Sequence, residues 1–124
     1  WQLSNPPILA LAPLLASLEI FHEAGMENLI KKSHQLTQFL ENLILTELSI
    51  KIEIITPTNP NDRGCQLSLR LVNLMPNIMD KLHDVGIIAD WREPDVIRIA
   101  PVPLYNTFVE CYEFTHRLKT IINE

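Results

Sequence analysis

The stretch CQLSLRLV, residues 65–72, alternates apolar and polar side chains with a period of two. Leu67, Leu69 and Leu71 fall on one face of an extended chain, and Gln66, Ser68 and Arg70 on the other. The pattern predicts a strand of a sheet with one oily and one polar face. Upstream, KIEIIT (51–56) also alternates, and the two runs are separated by a segment rich in Pro, Asn, Asp and Gly, TPTNPNDRG (56–64). Two antiparallel strands are expected.

Further toward the N-terminus the period becomes helical. Leu29, Leu36, Leu40, Leu43 and Ile44 are spaced for one face of an amphipathic helix from about Glu27 to Glu47, with Gly25 as the break before it. An earlier helix is expected to start at Ser4-Asn5-Pro6-Pro7, with Asn5 as cap and Pro6 at the first helical position, and to run to about Ala24 with Pro13 inside it. Its apolar residues surround the cylinder, so it reads as a helix covered on several sides. Downstream, a helix from Met75 or Pro76 to Val85 ends at Gly86. Short strands at 87–91 and 96–100 flank the turn Glu93-Pro94-Asp95. A last helix begins at Asn106 or Thr107, where Thr107 and Glu110 have capping-box spacing. The order α-α-β-β-α-β-β-α gives an α+β domain: a mainly antiparallel sheet with helices on one face, preceded by two long helices.

At 124 residues the chain is one domain with room for a core. A net charge of -5 argues against nucleic acid or an anionic membrane as the main partner. Cys65 and Cys111 show neither disulfide nor zinc-site spacing and read as small buried apolar residues of a cytoplasmic protein. PPILALAPLLA (6–16) is too short for a membrane span and lacks the basic segment of a signal peptide. The chain opens at Trp1 without methionine, and WQLSNPP has the character of the interior of a longer protein, so a fragment is expected.

Chemistry has few candidates. His22, His34, His83 and His116 are scattered without ligand spacing, the lysines occupy polar positions, the serines have no nucleophile-elbow context, and three glycines make no phosphate loop. No metal is implied. Arg98 stands out, a permanent charge in the apolar run VIRIAPVPLYN (96–106). Alternation places it with Val96 and Ala100, opposite Ile97 and Ile99, on the polar face. There its planar fork suits a carboxylate, although a structural salt bridge is the commoner role of a strand arginine. Pro101 and Pro103 stiffen the chain just beyond it. For Asn5 the residues alone favour a helix cap over an anion site at the helix terminus.

Four strings carry a resemblance: WQLSNPPI (1–8), ASLEIF (16–21), RGCQLSL (63–69) and IRIAPVPLYN (97–106). In order and separation they resemble the C-terminal part of the kynureninase family, across essentially the whole chain. The resemblance implies the small C-terminal domain, residues 1–124, of a fold-type-I, aspartate-aminotransferase-like enzyme that uses pyridoxal 5'-phosphate. It implies hydrolysis of L-kynurenine to anthranilate and L-alanine in tryptophan catabolism, with 3-hydroxykynurenine accepted by many members. It places the cofactor lysine in a large domain absent from this chain, in a cytoplasmic homodimer, so the fragment alone is expected to be inactive. By the same resemblance Arg98 falls on the arginine that holds the substrate α-carboxylate. Asn5 falls on a position that reaches the cofactor beside the substrate pocket, where some members carry another small polar residue. Two alternatives stay open: the small domain of a cysteine desulfurase or aminotransferase, and a stand-alone α+β binding or interaction module.

Overall fold

The structure, a computed structural model, describes residues 4–73 and 77–124. Helices α1 (Ile8–Ala24) and α2 (Met26–Leu48) are followed by strands β1 (Ile52–Ile54) and β2 (Leu67–Leu71). Helix α3 (Ile78–Asp84), strands β3 (Asp90–Arg92) and β4 (Val96–Ile99), and helix α4 (Phe108–Asn123) complete the chain. The four strands form one sheet in the order β1-β2-β4-β3, antiparallel at every junction. The α+β architecture follows the sequence pattern.

Register shows why the alternation matters. Ile54, Leu69, Ile97 and Trp91 lie side by side across all four strands, and Leu67 pairs with Ile99, so these rows make the oily face. Leu36, Leu40, Ile44 and Leu48 of α2, Ile78 and Leu82 of α3, and Cys111, Leu118, Ile121 and Ile122 of α4 pack with that face into a single core. Burying a leucine or isoleucine of this set contributes about 1.5–3 kcal/mol, which fixes the register, since a one-residue slip would turn the whole face outward. The opposite face carries Glu53, Arg70, Val96 and Arg92 in one row and Ser68, Arg98 and Asp90 in the next.

The ends of the elements follow local chemistry. Thr107 accepts from the Glu110 backbone N–H while the Glu110 carboxylate accepts from the Thr107 backbone N–H, completing the expected capping box of α4. Gly25 joins α1 to α2 at φ 76°, in the left-handed region where an L side chain is strained, and the two helices diverge by 79°. The expected start of the third helix at Met75 or Pro76 lies outside the described residues.

Four expectations are corrected. Asn5 does not cap α1, and Pro6 is not its first residue: the helix begins at Ile8 with Pro7 at the cap position and no side-chain capping bond. A residue before a proline is disfavoured in the α region, which accounts for Asn5 and Pro6 staying outside the helix and its start only after Pro7. Helix α1 is not covered, since none of its residues is buried and Leu9, Leu15 and Leu18 are well exposed. Residues 87–89 are loop, and the third strand is shifted to Asp90–Arg92, where it can pair with β4. Of the two free cysteines Cys111 is buried in the core, but Cys65 is only partly covered, lying just before β2.

Candidate functional site

Strand β4 brings Arg98 to the polar face, between Ser68 on β2 and Asp90 on β3. The Arg98 side chain is 32% exposed and Asp90 49%, so neither has left solvent. Arg98 Nε donates to Asp90 Oδ2 at 2.7 Å, and Arg98 Nη2 donates to the same oxygen. Arg92 Nε lies 3.2 Å from that oxygen as well. The hydrogen bond from Arg98 lowers the Asp90 pKa from its ordinary value; desolvation opposes it, and the Arg92 charge adds to the lowering. Asp90 is thus a carboxylate at neutral pH, held between two guanidiniums.

Arg98 and Asp90 line an open pocket of about 510 Å³ at the end of the sheet, together with Ile88, Pro101, Tyr105 and Asn106. Its far wall is built from the segment after β4, which is tied down in three ways. Lys32 Nζ donates to the Pro103 carbonyl at 2.6 Å, fastening the segment to α2. The Asn106 side chain accepts from Val102 N–H at 2.8 Å, and Asn106 N–H donates back to the Val102 carbonyl at 2.8 Å. Pro101 and Pro103 remove backbone freedom besides. The wall is preorganised around the arginine, as a recognition site requires.

Cys111 lies at the back of this pocket, where burial pushes its thiol up to about 11, with the Glu110 charge adding to the effect. It is a protonated, unreactive wall residue. Among the described residues no group of three or more His, Cys, Asp or Glu side chains could hold a metal ion.

Asn5 is exposed and lies outside this pocket, whose lining, among the described residues, begins in α2. The structure does not bring Asn5 and Arg98 together within this chain. Two charged contacts were missed in the sequence. Glu41 and Arg63 form a two-pronged pair, Nη1 to Oε1 at 3.0 Å and Nη2 to Oε2 at 2.5 Å, which fastens the 57–65 loop to α2. No local pattern announces it. The Asp90–Arg98 pair did have a signal, because a hairpin centred on Pro94 places residue 90 opposite residue 98.

Residues 29–118 match the family model described as the kynureninase C-terminal domain. The kynureninase of Xanthomonas campestris pv. campestris (strain B100) is 54% identical over 123 residues, covering 97% of this chain and 29% of the relative. The kynureninase of Stenotrophomonas maltophilia (strain K279a) is 51% identical over 122 residues, covering 96% and 29%. This chain therefore spans under a third of the length of the relatives it matches. Among solved structures, a NifS-like protein superposes with a TM-score of 0.73 at 21% identity, over 87% of this chain and 32% of the other, a likeness of fold alone. A family model spanning α2 to α4, with the Arg98 strand inside it, shows that the chain belongs to the kynureninase C-terminal domain family.

Proposed function

We propose that this chain, residues 1–124, is the C-terminal domain of a kynureninase that hydrolyses L-kynurenine, and 3-hydroxy-L-kynurenine with it, to the corresponding anthranilate and L-alanine. The observation that carries the reading is the setting of Arg98: a guanidinium lining a preorganised pocket, one edge gripped by Asp90 and the side chain 32% exposed to solvent. Its role is to bind the substrate α-carboxylate and to orient the bond to be cleaved. A charge-assisted contact of this kind contributes about 2–5 kcal/mol once water is excluded.

The family implies pyridoxal 5'-phosphate, and the side chains here fit the substrate end of such a site rather than the anchoring end. Lys32, Lys51 and Lys81 spend their ammonium groups on the Pro103 carbonyl, the Ile122 carbonyl and the Glu124 carboxylate, and Lys119 pairs with Glu47. Among the described residues no lysine lines the Arg98 pocket. The anchoring lysine therefore belongs, in this reading, to a larger domain of the same protein. Bound there, the cofactor supplies an electron sink for Cβ–Cγ cleavage. Asn5 is the residue of this chain proposed to reach it, from a segment that other parts of the protein would bring to the site. The exposed apolar circumference of α1, with Leu9, Leu15 and Leu18, supports such a larger partner, in the same chain and across a homodimer.

The test is Arg98→Ala in the full-length enzyme, with kcat/KM for L-kynurenine expected to fall about a hundredfold or more. Wild-type kinetics would remove Arg98 from the site. Asn5→Ser should weaken cofactor retention on dialysis, and retention equal to wild type would remove Asn5 from the cofactor site. The domain expressed alone should show no kynurenine cleavage and no borohydride-stable lysine adduct with the cofactor; a stoichiometric adduct at one lysine would contradict the two-domain reading.

A further inference from the structure

We propose that Asp90 is a positioning residue for substrate recognition, gripping the Nε edge of Arg98 so that the remaining end of the guanidinium is presented to the substrate carboxylate. The inference rests on the reading of Arg98 as the carboxylate-binding residue, and adds to it the group that sets its direction.

A guanidinium can meet carboxylates along two edges, the side edge of Nε with Nη2 and the end edge of Nη1 with Nη2. Both contacts that Asp90 accepts from Arg98 come from the side edge, and they converge on a single oxygen, Oδ2. Among the described residues Nη1 of Arg98 makes no hydrogen bond, so the end edge keeps an uncommitted donor. An arginine on a strand otherwise sweeps a wide arc about its flexible stem, and ordering it on binding costs side-chain entropy. Asp90 bears much of that cost in advance. Cross-strand register makes the arrangement robust, since residue 90 is directly opposite residue 98 in the β3–β4 hairpin.

One carboxylate beside one arginine would cancel the charge the substrate needs. Here Arg92, two residues along β3, shares the same Asp90 oxygen at 3.2 Å. Arg92, Arg98 and Asp90 together carry one net positive charge, so Asp90 orients Arg98 without neutralising this cluster, while the Glu110 carboxylate lies elsewhere in the pocket lining. The lowered Asp90 pKa fits a group that keeps this role through mildly acidic conditions.

The experiment uses the full-length enzyme and the variants Asp90→Ala, Asp90→Asn, Arg98→Ala and the double variant Asp90→Ala with Arg98→Ala. Asp90→Ala should raise KM for L-kynurenine about tenfold with kcat within about twofold of wild type. Asp90→Asn, whose amide oxygen still accepts from Nε, should recover part of the loss. The double variant should be no worse than Arg98→Ala, because Asp90 acts through the arginine. An unchanged KM in Asp90→Ala beside a damaged Arg98→Ala would overturn the positioning role alone. A lowered KM would also overturn it, by making Asp90 a competitor of the substrate, and so would additive losses in the double variant. Wild-type kinetics in Arg98→Ala would overturn the carboxylate reading and this inference together.

Discussion

Two arginine–carboxylate pairs occupy opposite ends of the design. Arg63 and Glu41 are almost fully withdrawn from water, with side chains 5% and 10% exposed, and they meet fork to fork. Arg63 also donates to the Pro57 carbonyl at 3.1 Å. Arg98 and Asp90 stay half in solvent, meet along a side edge, and share the carboxylate with Arg92. The first pair uses the whole reach of the guanidinium to fasten a loop to a helix. The second holds an arginine in place while leaving an edge of it for something else. Chemistry of the same kind thus acts as a clasp when buried and complete, and as a held tool when exposed and incomplete.

Breaking the clasp should have the largest effect on stability. Glu41→Ala leaves Arg63 buried without a counter-charge, which costs about 3–5 kcal/mol and should appear as a lower urea midpoint of the full-length protein. Exchange of the backbone amides of residues 57–65 should accelerate with it. A midpoint within error of wild type would show that the pair is not the fastening it looks like. Asp90→Ala should instead leave the urea midpoint near wild type while KM rises, and a large loss of stability would erase the distinction between the two pairs. A third pair sets the baseline: Arg70 Nη1 and Glu53 Oε2 are 3.1 Å apart, with side chains 44% and 58% exposed. Glu53→Ala should cost under about 1 kcal/mol.

The pocket wall offers a smaller test. Burial raises the Cys111 pKa to about 11 from an ordinary 9.0. A raised pKa favours the folded state while the group is protonated, so this contribution is complete below about pH 9 and is lost as pH rises toward 11. In the folded protein at pH 8, iodoacetamide should label Cys65 well before Cys111, as read by peptide mass spectrometry. Equal labelling would contradict the burial of the pocket wall.

How much of this was legible in the sequence depended on distance along the chain. The switch from helical spacing in Leu36, Leu40 and Ile44 to alternation in Leu67, Leu69 and Leu71 carried the fold class, because periodicity is a local consequence of which face is buried. Thr107 and Glu110 were readable for the same reason. The start of α1 was misread where two local rules met: Asn5 and Pro6 make a capping signal, but each is followed by a proline that disfavours the α region before it, and the helix begins only after Pro7. Its exposure was not readable, since an all-round apolar helix says only that it needs a cover. Glu41 and Arg63 are joined by the path of a loop, which no spacing encodes. The placement of Arg98 on the polar face followed from alternation, and its partner Asp90 was within reach of the same logic had the hairpin been counted out from Pro94.

Recognition of the substrate carboxylate's charge by Arg98 is tested by comparing two ligands that differ only there. In the full-length enzyme, competitive inhibition by the neutral carboxamide of L-kynurenine is set against binding of L-kynurenine itself, in wild type and in Arg98→Ala. Wild type should favour the carboxylate by about a hundredfold, and Arg98→Ala should lose most of that preference while its affinity for the amide barely changes. A preference retained in Arg98→Ala would contradict it.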